Sequence, residues 1–402
     1  MNNKFTFKSK MGTFAFCFGA MANNMTMALV AYIMATYSNV SPAVVQNILV
    51  TPSLVATVYA FFVGQLNTKF STKKLLLFGQ ISILAMGMIF MFLGGKASIW
   101  VLVLAAGLVG IGQGSNNTIL GAMLADMIDD EKERGSFLGI CMAVMNVGGV
   151  FFSIAGGKIA DITGSWQMAY ALYFIILAAI ILEMICLPEG PVAQAQAGGG
   201  AKEKVAIPAK VWVISIHYFF FFLALYVYGS NISQYIINYY QLGGASEAGV
   251  ATSVVTIGGI IAGAVYGVYS QWFKKLTVPI MMGAAAVGLF LCLTMTTTVW
   301  GAYIGGALVG FSMSACGPYI IMELGKIAPG AQYSKAMSIY SGFMNAGMCV
   351  AIYVINIATG MICGDSSDIH TKFIVGFVLA AAACITSIPV YCSKSKAEAS
   401  GQ

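Results

Sequence analysis

The sequence predicts an all-α integral membrane protein with twelve transmembrane helices arranged as two halves of six. Hydrophobic residues make up 59% of the 402 residues and charged residues only 8%, whereas soluble domains are about 45–50% apolar. The apolar residues lie in continuous runs, which is typical of membrane helices and not of the alternating strands of a barrel. Short motifs also recur half a chain length apart, which indicates a duplicated unit.

Twelve apolar runs are long enough for a helix of about 20 residues, which crosses roughly 30 Å of hydrocarbon. They cover residues 11–37, 42–67, 75–95, 98–126, 136–160, 166–187, 211–240, 247–270, 277–297, 300–324, 335–360 and 371–392. The first run follows three lysines, as in a signal peptide, but is too long for an h-region. We therefore interpret it as a retained helix 1.

A segment rich in Gly, Ala and Gln separates the sixth run from the seventh and is typical of a flexible linker. The predicted domains are an N-terminal six-helix bundle (1–190), a linker (191–210) and a C-terminal six-helix bundle (211–402).

The stretch from Gly107 to Asp161 carries the densest charge cluster, IDDEKERG, between two glycine-rich apolar segments. The motif Leu108–Gly110 recurs as Leu308–Gly310, and Met145–Gly148 recurs in similar form as Met344–Gly347. Both repeats have an offset of about half the chain, so the two halves are predicted to be structurally equivalent.

The basic residues predict the orientation of the chain. With the amino terminus inside, all of the 20 Lys and Arg residues except Lys96, Lys158 and Lys372 fall on the cytoplasmic side. Positive residues concentrate in cytoplasmic loops. We therefore expect a multi-pass protein of the cytoplasmic membrane with both termini in the cytoplasm.

Several motifs resemble those of the major facilitator superfamily of secondary transporters. Residues 64–74, GQLNTKFSTKK, match its loop between helices 2 and 3 at Gly64, Lys69 and the closing lysines, including Lys73, but not at its aspartate. Residues 267–275 form a similar motif in the second half. Arg134–Gly135 and the glycine pairs 148–149 and 156–157 resemble the start and body of the family's helix 5. The proline of the antiporter pattern is absent, so the motif does not support an antiport assignment, and the sequence does not distinguish uniport, symport and antiport.

This resemblance implies two six-helix bundles around a central cavity that opens alternately to each side, with helices 1, 4, 7 and 10 lining it. Polar residues at mid-bilayer depth are costly unless they face other helices or water. The candidate solute-binding residues are therefore Asn23, Asn24, Gln113, Asn116, Asn117, Asn146, Tyr226, Tyr228, Asn231, Gln234, Ser312, Ser314 and Asn345. In the alternative interpretation these side chains join helices, at about 0.6 kcal/mol each.

The charge pattern limits the solute. No Lys or Arg is predicted at mid-bilayer depth, and the first and seventh helices contain no Asp or Glu. A cavity for a multiply charged anion normally supplies a cationic partner. We therefore expect a neutral polar or weakly charged organic solute. The alternative within the same fold is an exporter of amphipathic drugs.

Charged residues near the predicted cytoplasmic helix ends form a candidate gate. Asp126 precedes Arg134 across a short loop, and Glu323 precedes Lys335 in the other half. Together with Gly64, Lys69 and Lys73 they are predicted to stabilise the closed inner side; the alternative is ordinary interfacial charge. His217 has the ordinary pKa that suits proton coupling, or it is structural.

An enzyme is disfavoured, since the chain has two histidines, no metal-ligand cluster and no nucleotide-binding loop after a strand. The nine cysteines form no CxxC pair. We expect no cofactor, no metal and no nucleic-acid partner, but a monomer in the lipid bilayer with a proton as a candidate coupling ion. A transporter-like receptor is a weaker alternative, because neither tail is long enough for a signalling extension.

Overall fold

In a computed structural model, all regular structure in the described residues is helical, as predicted. The structure describes residues 5–67, 69–189, 207–294, 297–328 and 331–392. The helices are α1 Phe7–Ala20, α2 Asn24–Thr36, α3 Pro42–Leu66, α4 Thr72–Leu93, α5 Ile99–Ser115, α6 Gly121–Met127, α7 Glu131–Thr163, α8 Trp166–Ala169, α9 Phe174–Cys186, α10 Ala209–Gln234, α11 Ala245–Phe273, α12 Thr277–Leu293, α13 Trp300–Ile327, α14 Ala331–Cys363 and α15 Ile369–Cys392.

Eleven helical stretches of the described residues are long and apolar enough to cross a membrane, and Ile99–Ser115 is a shorter twelfth. They coincide with the twelve predicted runs, which confirms the predicted fold class. Two predicted helices differ from expectation. Helix 1 is broken between α1 and α2, and helix 4 passes through a π-helical segment, Asn116–Leu120, between α5 and α6.

Local sequence explains where several helices begin and end. The hydroxyl of Thr6 and that of Ser9 cap α1 reciprocally, and the Asp130 carboxylate accepts the backbone N–H of Glu133 at 2.7 Å to begin α7. Gly164 ends α7 with a φ of 65°, a left-handed conformation that favours glycine.

The described residues fall into two compact units. The first lies within Met1–Ala201 together with Ile236–Ser253, and the second within Lys202–Tyr235 together with Val254–Gln402. The segment 236–253 groups with the first unit because the start of α11 packs on α7. The boundaries at 190 and 210, drawn from the repeat and the linker composition, stay a prediction.

The repeated glycines make equivalent helix crossings in the two units. A Cβ at Gly148 of α7 would overlap the carbonyl oxygen of Phe18 in α1, and a Cβ at Gly347 of α14 would lie 2.6 Å from the carbonyl oxygen of Phe219 in α10. Gly110 and Gly310 likewise face backbone carbonyls, those of Pro52 in α3 and Val255 in α11. Glycine permits such close backbone approach between membrane helices, so each repeated motif marks a crossing that its unit requires.

Candidate functional site

The break in the first membrane helix places two predicted residues at a bend. Between α1 and α2 the backbone bonds change to an i→i+3 pattern, with the N–H of Ala22 donating to Gly19 and that of Asn24 donating to Met21. The side-chain oxygen of Asn23 accepts a bond from Thr26 at 3.1 Å. A discontinuous membrane helix exposes backbone polar groups within the bundle, which is a recurring feature of transporter binding sites.

The π-helical segment positions Asn116. Its amide Nδ2 contacts the sulfur of Met145 in α7 at 3.5 Å, while its Oδ1 is buried without a hydrogen-bond partner. Single-turn π-helical segments frequently occur at functional sites. A buried amide oxygen without a donor is costly, so Asn116 is suited to accept a hydrogen bond from a bound molecule.

These discontinuities meet the same stretch of α7. Asn116 contacts Met145, while a Cβ at Gly149 would lie 2.8 Å from Nδ2 of Asn24. Asn146, between those two positions, is half-buried. The first unit therefore gathers three amide side chains around residues 145–149, and none of the three carries a charge.

In the second unit, several predicted residues bond within their own bundle. Tyr228 donates to the carbonyl of Ala302 at 2.8 Å, Nδ2 of Asn231 donates to that of Val227 at 3.1 Å, and Nδ2 of Asn345 donates to that of Ser341 at 3.0 Å. Only the Tyr228 bond joins two helices, α10 and α13, and agrees with the helix-joining alternative. The bonds of Asn231 and Asn345 lie within α10 and α14.

The other predicted residues of the candidate solute site differ in burial. Tyr226 and Gln234 are buried, and Gln234 precedes a second π-helical segment, Tyr235–Tyr239. The hydroxyl of Ser312 is buried without a partner, while Gln113 and Ser314 are half-buried.

The predicted gate is described only in part. Asp126 and Arg134 are both half-buried and flank the connection from α6 to α7. Glu323 lies 3.7 Å from the ammonium of Lys210 and 3.6 Å from that of Lys326. The side chains of Asn117 and Lys335, and the surroundings of Gly64, lie outside the described residues.

The loop between α3 and α4 contacts the end of α9. Lys73 donates to the carbonyl of Met184 at 2.9 Å, and Ser71 donates to the carboxylate of Glu189 at 3.0 Å. A lysine bonded to a late helical carbonyl also interacts favourably with the helix dipole. Lys69, in contrast, is exposed.

Sequence reasoning missed a contact between α7 and the start of α11. The carboxylate of Asp161 accepts bonds from the hydroxyl of Tyr32 at 2.8 Å and from the backbone N–H groups of Ala245 and Ser246 at 2.9 and 2.6 Å. Further along the same two helices, the hydroxyls of Ser153 in α7 and Thr252 in α11 lie 2.6 Å apart. A glycine pair, 243–244, ahead of an apolar run was the available signal, but it did not indicate the partner.

Two units of membrane-spanning helices define a polytopic helical membrane protein. The sequence profile of the Major Facilitator Superfamily matches residues 12–352 and, in a second match, residues 214–400. The chain belongs to this family, as the motifs predicted.

Several known proteins are similar in sequence to parts of the chain. Protein spinster homolog 1 of Bos taurus is 29% identical over 127 residues, 30% of this chain and 23% of that protein. Protein spinster homolog 3 of Mus musculus is 27% identical over 156 residues, 39% of this chain and 30% of that protein. The MFS-type transporter YqjV of Bacillus subtilis is 26% identical over 166 residues, 40% of each chain. The matched stretches thus span less than half of each relative.

Solved structures match over nearly the whole chain. A crystal structure of the nucleoside transporter NupG superposes with a TM-score of 0.77 at 12% identity, covering 96% of this chain and 100% of that one. A bacterial homolog of the human lysosomal transporter spinster, inward-facing and unoccupied, gives 0.71 at 12% identity over 98% of both chains. A D-xylose–proton symporter gives 0.68 at 16% identity over 96% of both. At these identities the likeness establishes the fold.

Proposed function

We propose that the protein is a secondary active transporter that moves a small neutral-polar or weakly charged organic solute across the cytoplasmic membrane by alternating access. The observation that carries this proposal is the convergence of Asn24, Asn116 and Asn146 on one stretch of α7 beside two helix discontinuities. Amides supply both donors and acceptors without a charge, which suits a polar solute.

The fold neighbours agree with this solute class. A nucleoside transporter and a D-xylose–proton symporter are both named for polar organic solutes, and the second is also named for a proton. The proposal therefore includes a proton as the coupling ion. We also propose that the protein moves its solute without changing it chemically.

The proposed inner gate retains the pair Asp126 and Arg134 and the pair Glu323 and Lys335. The ion pairs of Glu323 with Lys210 and Lys326 support an ionic role for this end of α13. The pair of Glu323 with the exposed Lys326 contributes at most about 1 kcal/mol, so this contact can break and re-form readily.

Uptake into vesicles that contain the purified protein tests the transporter proposal. We expect labelled nucleosides or sugars to accumulate, and accumulation to increase when a pH gradient is imposed. Exclusive transport of hydrophobic cationic dyes would identify a drug exporter instead. Absence of uptake from panels of both classes, by protein that is folded, would reject the proposal.

The repeated asparagines provide a test of the solute site. Asn146→Ala and Asn345→Ala are each expected to weaken solute binding about threefold to tenfold, because one hydrogen bond contributes roughly 0.5–1.5 kcal/mol. Isothermal titration with the transported solute measures the change. Asn39→Ala, at an exposed position outside the site, is the control. Variants that bind normally but melt earlier would show that these amides only join helices.

Labelling of single cysteines tests the proposed orientation in a background without the nine native cysteines. A membrane-impermeant maleimide added outside intact cells should label Ser366→Cys, in the loop before α15, but not Gln196→Cys in the linker. The opposite pattern would place the termini outside.

A further inference from the structure

A buried acid in α9 has no charged partner. Glu183 is 0% exposed and lies inside the first unit, where α9 packs on α1 and α4. In the part of the chain that the structure describes, it forms no ion pair and accepts a single hydrogen bond, from Nε2 of Gln80 to Oε1 at 3.3 Å. Acidic residues inside membrane segments are rare because they are costly, and they commonly mark ion or proton pathways.

Two oxygen atoms at and beside Glu183 lack a hydrogen-bond donor. Nε2 of Gln80 also donates to the backbone carbonyl of Phe16 at 2.8 Å. Both N–H groups of the Gln80 amide are then engaged, yet its Oε1 and the Oε2 of Glu183 are buried without hydrogen-bond partners. Gln80 and Glu183 therefore each have a buried oxygen that needs a hydrogen-bond donor.

One proton on the carboxyl group of Glu183 supplies the missing hydrogen-bond donor. A carboxylic acid has an O–H donor that the carboxylate lacks. The 3.3 Å bond is longer than the roughly 2.7–2.9 Å of a charge-assisted N–H···O⁻ bond, so its length agrees with a neutral acid. An ionised carboxylate with one long amide bond would be an uncompensated buried charge, which is strongly destabilising.

Gln80 connects this acid to the bend in the first membrane helix. A Cβ at Gly19, in the last turn of α1, would lie 2.9 Å from Nε2 of Gln80. The same amide bonds to Phe16, one turn before α1 ends. A movement of this helix end therefore displaces the only hydrogen-bond donor of Glu183 in the described structure.

The other titratable groups around α9 leave this arrangement intact. From α1 the thiol of Cys17 lies near Glu183 and forms a hydrogen bond with the thiol of Cys141 in α7, while Lys10 lies over the ring of Phe5 at 4.1 Å.

On α4 the two basic residues, Lys73 and Lys74, lie in the first turn. The ammonium of Lys73 bonds to Met184, and Lys74 is exposed. Neither forms an ion pair with Glu183.

We infer that Glu183 is a proton-binding site: its carboxyl group holds a proton in this conformation and releases it when the end of α1 moves. The step is a simple acid dissociation, in which the O–H bond breaks and the proton passes to water that reaches the opened bundle. This inference deepens the proposed function, on which the link to solute movement rests, by naming a residue for the coupling proton.

Infrared difference spectroscopy of the purified, solute-free protein tests the site as the pH is raised. We expect a protonated carboxyl C=O band that disappears with rising pH, that Glu183→Gln lacks, and that remains in Glu189→Gln. Glu189 is the matched control, an exposed acid just beyond the same helix. A spectrum unchanged by Glu183→Gln would overturn the inference.

Hydrogen exchange at backbone amides 20–24 tests the link to the bend. At pH values above the loss of the band, exchange in the natural protein should exceed that in Glu183→Gln at the same pH by at least about tenfold, because the buried charge destabilises the packing. Equal exchange, or a band that persists at every pH, would identify a permanently neutral structural acid and overturn the inference.

A sodium titration separates the proton from a metal cation. The spectra should be the same in sodium chloride and choline chloride, whereas loss of the band on adding sodium would show that the site binds a metal cation. No solute is present in these experiments, so their outcome is independent of whether the uptake assay finds transport.

Discussion

Replacing Gly148 by valine is expected to destabilise the folded protein strongly. A Cβ at this position would overlap the carbonyl oxygen of Phe18, and that atom is backbone that cannot rotate away. Overpacking a closely packed site costs up to about 3 kcal/mol. This is a large part of the free energy of unfolding of a typical domain. We expect a large fall in melting temperature and in the monodisperse peak on size-exclusion chromatography.

The same helix contains a matched control for this substitution. Gly139 also lies in α7, but no atom lies within 4 Å of its Cβ position. Gly139→Val should therefore leave the melting temperature nearly unchanged. The second unit repeats the comparison with Gly347→Val as the damaging variant and Gly342→Val as its control. Equal melting temperatures within each pair would contradict the crossing geometry.

Replacing Asp161 by asparagine is expected to release the start of α11 from α7. The carboxylate accepts the N–H groups of Ala245 and Ser246, two groups that have no partner within their own helix because they lie in its first turn. An acidic group near a helix N-terminus also interacts favourably with the helix dipole. Hydrogen bonds to a charged group contribute about 1.5–3 kcal/mol, and asparagine retains only one acceptor oxygen.

Hydrogen exchange measures the release directly. The amides of Ala245 and Ser246 should exchange roughly tenfold to a hundredfold faster in Asp161→Asn, the factor that corresponds to about 1.5–3 kcal/mol. Tyr32→Phe removes one of the three bonds and should have a smaller effect. Asp365→Asn is the control, because the carboxylate of Asp365 bonds to Ser367 within its own loop. Unchanged exchange in Asp161→Asn would show that packing alone holds the start of α11.

The membrane helices were predictable because hydrocarbon imposes a local rule. Every backbone group must be satisfied within the segment, so a continuous apolar run is sufficient to predict a helix. The runs 42–67 and 300–324 correspond to Pro42–Leu66 and Trp300–Ile327. The break after α1 was not predictable, because residues 20–24 interrupt an apolar run without proline or a charge.

The candidate solute site was predictable only as a set of polar positions at similar depth. The sequence identified Asn24, Asn116 and Asn146 by their cost in hydrocarbon. It did not indicate that Asn24 and Asn116 approach α7 within one turn of Asn146. Nor did it indicate that Asn345 bonds to its own helix. Their part in solute binding stays a prediction.

The sequence by itself determined the membrane class, the twelve helices, the family and the glycines of the repeat, because each of these is encoded in local composition or in a motif. Only the tertiary structure decided that Asp161 bonds to the start of α11, 84 residues away, and that Gln80 bonds to Glu183, 103 residues away. The physical reason is that a polar group, exposed like Asp161 or buried like Glu183, is stabilised by whichever hydrogen-bond partner the packed helices place within about 3 Å. The identity of that partner depends on helix crossings and is not encoded in the periodicity of either segment.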